Sequence, residues 1–332
     1  MSQKTFLASL SELSPGQEAD FFALLAAKEE LTTRDQKPYF KVTFRDALRQ
    51  VSFPIWADSP LAAECKEQWN AGDCYKLRAL YRETTYGPQL EIRKIRPVTE
   101  SDAAEGFDPL AFLPQSRHAP GPMFDELRGI AAEHIEEPEL RQLVLDLLDG
   151  NQAELLKLPA ATRNHHAFVG GWLEHVLGVT HNALWLAGRY QSMYPDLKPP
   201  LSKDLVVAGA ILHDIGKLRE IAWHSTGAEY TASGNLIGHM LQGRDIVLEA
   251  ATGRKLPGDT LLRLEHIVIS HQRLPEWGAP KQPMTPEALL VHYADDIDAK
   301  FQMMYAALRD DTGPGPMTSN RNTLYQKVYR GE

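Results

Sequence analysis

Hydrophobic periodicity changes once along this 332-residue chain, and that change limits what it can fold into. Up to about residue 97 apolar side chains recur at every second position, and from Met123 onward at every third or fourth. Such a chain is neither one sheet nor one bundle. It reads as two units in series, long enough for each to bury a core. No apolar run approaches the roughly 20 residues a membrane span needs. The opening Met1-Ser2-Gln3-Lys4-Thr5 lacks the apolar stretch of a signal peptide. Cys65 and Cys74 show no CxxC spacing and read as thiols in a reducing compartment. A cytoplasmic location is the expectation.

In the first unit, Phe40, Val42 and Phe44 alternate with Lys41, Thr43 and Arg45, and Val51-Ser52-Phe53-Pro54-Ile55 continues the pattern. Pro54 suggests an edge or a bulge. A strand is expected over 20–28, a short helix over 61–69 and a turn at Asn70-Ala71-Gly72-Asp73. Strands over 74–83 and 89–95 follow, joined around Gly87-Pro88. Five short strands with a helix before the fourth predict a small closed β-barrel of the OB type over residues 1–97.

Five prolines (Pro97, Pro109, Pro114, Pro120 and Pro122) with Gly106 and Gly121 interrupt every pattern across residues 97–122, and residues 98–122 read as a linker. Helices are then expected near 123–134, 138–149, 170–192, 203–216, 234–250, 259–271 and 285–309, an all-α unit over 123–312. Ser202 is a cap for the helix containing Leu205-Val206-Val207, with Gly216 at its end, and Thr285-Pro286 opens the last helix. Residues 313–332, beginning Gly313-Pro314-Gly315-Pro316, read as a loose tail docked by Leu324, Tyr325 and Tyr329.

The net charge of −9 argues against indiscriminate binding of nucleic acid, but it is unevenly spread. Residues 1–97 carry 14 Lys/Arg against 13 Asp/Glu, whereas the remainder carries 21 against 31. A polyanionic ligand would therefore be received by the first unit. Aromatic residues there, Tyr39, Trp56, Tyr75, Tyr81 and Tyr86, lie among Lys41, Arg45, Arg78, Arg82, Arg93 and Lys94, a combination suited to stacking the bases of a single strand. Phe40 and Phe44 alternate with charged neighbours and belong to the core.

Eleven of the twelve histidines fall between His134 and His292, inclusive, and Asp295, Asp296 and Asp298 come just after. His213-Asp214 ends the apolar run Ala208-Gly209-Ala210-Ile211-Leu212, so both side chains emerge at a buried helix terminus. A buried carboxylate beside imidazoles is costly unless a cation or hydrogen bonds compensate it. Imidazole with carboxylate suits Mn, Fe, Zn or Ni rather than calcium.

Ala210-Ile211-Leu212-His213-Asp214-Ile215-Gly216-Lys217 resembles the signature of the HD-domain metal phosphohydrolases. Further stretches narrow the resemblance: Asn164-His165-His166-Ala167-Phe168-Val169-Gly170-Gly171, Tyr230-Thr231 with Gly238-His239, Ser270-His271, Glu276-Trp277-Gly278, and residues 290–300. With Lys37-Pro38-Tyr39-Phe40, Asp46 and Ile55-Trp56 in the first unit, the chain is similar to the YhaM-type 3′→5′ exoribonucleases, which join an OB fold to an HD domain.

That resemblance implies metal ligands at His175, His213, Asp214 and Asp295, with His239 and His271 extending the site to a second ion. One or two divalent transition ions, Mn²⁺ first among them, are the implied cofactor. Adjacent helical residues point about 100° apart, so only one of Asp295 and Asp296 would face the ion, and sequence position favours Asp295. His271 is followed by Gln272 where the family often has a second His, so the second site is open to alteration. Asp214 and Lys217 would act on the scissile phosphate, and His165 or His166 would contact phosphate or protonate the leaving oxygen. Glu174 would orient His175, and His266 reads as structural. Lys41, Arg45, Trp56, Arg78 and Arg82 would hold the strand. The implied reaction is 3′→5′ hydrolysis of single-stranded RNA, or DNA, to nucleoside 5′-monophosphates, with no membrane involved. Two rivals stand beside it: a nucleotide or cyclic-nucleotide hydrolase with a regulatory barrel, and an RNA-binding adaptor with an inert helical domain.

Overall fold

The computed structural model describes residues 7–33, 35–224 and 227–331; Met1-Ser2-Gln3-Lys4-Thr5 and Arg34 lie outside them. The chain divides into two compact units, residues 1–115 with 224–227, and residues 116–223 with 228–332.

The first unit is built on β1 (Leu7–Ser9), β2 (Glu18–Thr32), β3 (Pro38–Arg45), β4 (Gln50–Trp56), β5 (Cys74–Thr84) and β6 (Gly87–Pro97), with α1 (Ala62–Gln68) between β4 and β5. Strand order is β4-β3-β2-β5-β6, antiparallel throughout, and β1 adds in parallel to β2. β4 also approaches β6, which closes the sheet on itself. A five-stranded antiparallel barrel with a helix between its third and fourth strands is the OB arrangement. Alternation explains the interior: Phe21, Ala23, Val42, Phe44, Phe53 and Leu77 all point inward.

Tyr75 and Tyr81 join that interior, buried to within 4% of their surface, and Tyr75 Oη receives the Asn70 N–H. The tyrosines on short strands are thus used for core, leaving Tyr39, Trp56 and Tyr86 outside it. The long β2 is apolar on both faces because its second face is covered as well. Phe22 and Leu24 lie under Phe107 and Phe112, which stand in a segment with two 3₁₀ turns, Glu100–Glu105 and Pro109–Phe112. The stretch read as a linker is therefore in large part ordered against the barrel. Its prolines break helices and strands, but its aromatics bury apolar area and its Asp102 is clamped by Arg96 at 2.6–2.7 Å.

The second unit is helical: α2 (Pro120–His134), α3 (Pro138–Gly150), α4 (Gln152–Leu155), α5 (Gly171–Met193), α6 (Lys203–Leu212), α7 (Lys217–Glu220), α8 (Ala232–Ile237), α9 (His239–Ala251), α10 (Thr260–Ser270) and α11 (Pro286–Asp310). A two-stranded ribbon, β7 (Ile221–His224) and β8 (Gly227–Tyr230), interrupts them. Every residue of α6 from Leu205 to Leu212 is buried. A helix apolar all round must be surrounded. Here α2, α3, α5, α10 and α11 flank it. Whatever stands at the end of α6 therefore enters a walled space. No helix among the described residues is long and apolar enough to cross a membrane.

Candidate metal centre

His213 and Asp214 stand at that end. His213 keeps helical torsions as the last turn of α6 closes, and both residues are at most 1% exposed. Trp172, fully buried on α5, donates its indole N–H to the Asp214 carbonyl at 3.0 Å and ties the two helices together at this level. Gly216, placed by the sequence at the end of this helix, lies four residues beyond the last residue of α6. Its φ of −64° is one any residue adopts. Space is what it supplies, since a Cβ would stand 1.9 Å from the His239 carbonyl oxygen. That close approach brings the start of α9, hence His239, onto the His213-Asp214 turn.

Six side chains converge. Asp214 Oδ2 lies 3.6 Å from His175 Nε2 and 3.5 Å from His213 Nε2. The two Nε2 atoms are 3.3 Å apart, and Asp295 Oδ1 stands 3.3 Å from that of His175 and 4.0 Å from that of His213. The other oxygen, Asp214 Oδ1, faces His239 Nε2 at 3.4 Å and His271 Nε2 at 3.6 Å. One carboxylate thus divides its two oxygens between two sets of imidazoles.

The imidazoles are fixed from behind. Nδ1 of His213 donates to the Ala210 carbonyl at 2.7 Å and that of His271 to the Val268 carbonyl at 2.8 Å. Nδ1 of His175 is held by Asp298 Oδ2 at 2.8 Å and that of His239 by Glu220 Oε1 at 3.0 Å. A carbonyl oxygen only accepts, so in neutral His213 and His271 the proton is on Nδ1 and Nε2 offers a lone pair. The Nε2 atoms of His239 and His271 and the Oδ1 of Asp214 are buried with no hydrogen-bond partner. Orphaned acceptors gathered this closely are a loss unless a cation fills the space between them. The donor set fits divalent transition ions, and two groups of three within it, His175-His213-Asp214 and Asp214-His239-His271, have mutually close ligand atoms.

Electrostatics agree with that demand for positive charge. Burial pushes His213 down to about 4. Burial also disfavours charge on His175, but Asp295 and Asp298 outweigh it and lift the group to about 9. Burial opposes charge on Asp214 too, yet Lys217 and the imidazoles hold it well below the usual carboxylate range. Lys217 Nζ lies 2.5 Å from Asp214 Oδ2, buried, at the start of α7 rather than on the helix of His213.

The remaining sequence candidates separate by position. Asp296 turns away from the cluster to pair with Lys300 at 2.7 Å. Glu174 bonds Ser116 Oγ at 2.6 Å and does not orient His175; Asp298 does. His166 was a candidate for contact with the reacting phosphate. It instead stands behind His175, bonded to Asp298 at 3.0 Å, and lines a different cavity with Arg117, Glu174 and Tyr305. His165 lines the cavity of the cluster itself, where burial, His175 and Lys217 keep its pKa well below the usual value. His266 accepts the Met284 N–H at 2.8 Å, a structural bond.

Glu220, His292 and Asp298 were missed as supports. His292 donates from Nδ1 to the His271 carbonyl at 2.6 Å. The spacing of His292, Asp295 and Asp298, three residues apart on one helix, was the available signal.

The centre opens into a cavity of about 740 Å³ walled by residues of α7–α9, α11 and the C-terminal segment. On the barrel, Tyr39 and Trp56 pair across β3 and β4 with ring centroids 5.1 Å apart, and Lys41 is exposed on the same face of β3. Arg45 shares that face, half-buried. Arg78 is held by Asp20 at 2.7 Å, Arg82 by Glu91 at 3.0 Å, and Arg93 by the same Glu91 at 2.7 Å and by Glu18 at 3.4 Å, so three carboxylates stand against the three guanidiniums.

The family model for the HD domain matches residues 172–300. Among solved structures, the N-terminal part is similar to the second OB-fold domain of replication protein A from Methanococcus maripaludis, at 16% identity over 29% of this chain and 97% of that one, with a TM-score of 0.23. A crystal structure of a replication protein A domain from the same organism matches at 12% identity over 29% and 99%, again at 0.23. Strand order, not these likenesses, identifies the barrel. The chain thus carries an OB-type barrel followed by a helical HD domain, and HD domains are typically metal-dependent phosphohydrolases.

Proposed function

We propose that this protein is a divalent-metal phosphodiesterase that shortens single-stranded RNA from its 3′ end, releasing nucleoside 5′-monophosphates, in the manner of the YhaM-type exoribonucleases. One observation carries the chemistry: the two oxygens of Asp214 are shared between two sets of imidazoles whose outer nitrogens are fixed, and in the set of His239 and His271 the inner nitrogens lack partners. His175, His213, Asp214 and Asp295 would hold one ion, and Asp214, His239 and His271 a second, Mn²⁺ being well suited to such donors. When bound, ions in this arrangement supply a nucleophilic water at neutral pH and offset charge on the attacking and leaving oxygens.

The chain's own residues do the rest. Lys217 keeps a positive charge fixed beside Asp214, at the cavity wall where a phosphate would lie. His165, on the same wall, donates a hydrogen bond to a phosphate oxygen. Asp298 and Glu220 keep His175 and His239 aimed inward, and His166 steadies Asp298. For the substrate, the supporting feature is the Tyr39–Trp56 pair with Lys41 and Arg45 on the second and third barrel strands, the face with which OB folds take up oligonucleotides.

The rival in which the substrate is a single nucleotide draws support from the cavity, whose volume of about 740 Å³ suits such a ligand. One assay with Mn²⁺ decides, using 5′-labelled RNA and DNA strands and comparing wild type with Asp214→Ala. Stepwise shortening from the 3′ end by wild type, reduced at least a thousandfold in the variant, is expected. Equal activity in both proteins sinks the mechanism, and an intact strand beside a hydrolysed nucleotide favours the rival.

A further inference from the structure

Three exposed aromatic residues ring the same cavity: Tyr230 at the end of β8, Trp277 in a 3₁₀ turn (Pro275–Trp277), and Tyr325 in the C-terminal segment. They are 48%, 47% and 86% exposed, so none is spent on core. We propose that they form a nucleobase subsite at the mouth of the metal centre, gripping the 3′-terminal nucleotides of the strand. The inference rests on the nuclease reading above and adds to it a second stacking surface, in the helical unit, separate from the one on the barrel.

Two details favour a base as occupant. Lys300 Nζ lies 5.5 Å from the Trp277 ring centroid and is anchored to Asp296, so a cation is fixed at one side of the indole. A planar base beside such a ring, with its phosphate near the cation, uses both features. Tyr325 adopts φ +55°, a conformation side chains other than glycine rarely take, and strain of this kind persists where surrounding structure imposes it. The surrounding structure here is a closed strap. Arg330 binds Asp311 at 2.6 Å, Met317 bridges Tyr329, and the Thr318 and Val328 backbones are joined, which returns residues 323–325 to the cavity wall. Asn164, also on the wall, offers an amide to base edges. Rings that contact any base by its face predict little preference among the four.

The test compares two substrates of the purified full chain with Mn²⁺: a 5′-labelled RNA strand and bis-p-nitrophenyl phosphate, a phosphodiester with no base. Stacking on one ring justifies an expected fall of at least fivefold in the ratio of kcat/KM for RNA to that for the small diester in Trp277→Ala and in Tyr325→Ala. Tyr325→Phe, which keeps the ring, restores most of the ratio. An unchanged ratio overturns the subsite. Failure of wild type to cut the strand at all would sink the nuclease reading instead. Binding then decides the subsite: quenching of tryptophan fluorescence by adenosine 5′-monophosphate that disappears in Trp277→Phe supports it, and equal quenching in both proteins overturns it.

Discussion

A Cβ on Gly178 would stand 2.3 Å from Oδ1 of Asp298, so the absence of a side chain at one position is what seats the carboxylate at the other. Gly178 lies one turn beyond His175 on α5, and Asp298 holds the His175 Nδ1. Gly178→Ala is therefore expected to push Asp298 away and release the ring. Supports of this kind typically govern metal affinity by ten- to a hundredfold. Titration with Mn²⁺ should weaken by about that factor. Gly188→Ala, on the same helix with open space around it, is the control and should stabilise by about 0.5–1 kcal/mol in denaturant melts.

The division of Asp214 between two sets of imidazoles predicts a stoichiometry. Equilibrium dialysis should count two Mn²⁺ per wild-type chain and one in His239→Ala, because that change leaves His175, His213 and Asp295 in place. Since an ion binds the folded state alone, excess Mn²⁺ should also raise stability, by about 2.7 kcal/mol at a hundred times the Kd. A count of two in His239→Ala would refute the sharing.

The Arg96–Asp102 clamp predicts a pH dependence in the first unit. The Arg96 guanidinium, with the Thr99 N–H, holds the Asp102 carboxyl well below the usual carboxylate range. A carboxyl depressed on folding contributes stability that is present above its unfolded pKa, near 4, and is lost as pH falls towards the folded value. Asp102→Asn should thus be less stable than wild type at pH 7, with the gap closing below about pH 4. Thermal melts of both proteins from pH 7 to 3 read this directly. A gap that widens in acid would contradict the assignment.

Burial pushes both thiols, Cys65 and Cys74, up to about 11. At pH 8 only about one molecule in a thousand would then carry a thiolate, the reactive form. Iodoacetamide should leave both cysteines unmodified in the native protein over a period that fully labels the unfolded chain.

Sequence and structure agree best where periodicity is long. The long helices of the second unit and the five barrel strands were legible from spacing, the short α4, α7 and α8 were not, and the candidate ligands came from motif resemblance. What was hidden depends on distant partners. Gly216, between the end of α6 at Leu212 and the start of α7 at Lys217, is crossed so closely by His239 that it has no room for a side chain, a contact no local pattern encodes. His165 and His166 are neighbours in sequence, yet φ +46° at His166 places them on separate cavities. The ordering of Phe107 and Phe112 on β2 was masked by the prolines around them.

The pairing of Arg78, Arg82 and Arg93 with carboxylates has a consequence for how the barrel would hold its strand. A basic face usually binds by shedding the counterions condensed on phosphates, and its grip fades as salt is added. Here the face around Tyr39 and Trp56 offers Lys41 and Arg45 for that purpose, and two such contacts are worth a slope of about −1.4 in log affinity against log salt. Its hold would come mainly from ring faces. It would survive ionic strengths that strip polybasic proteins from RNA.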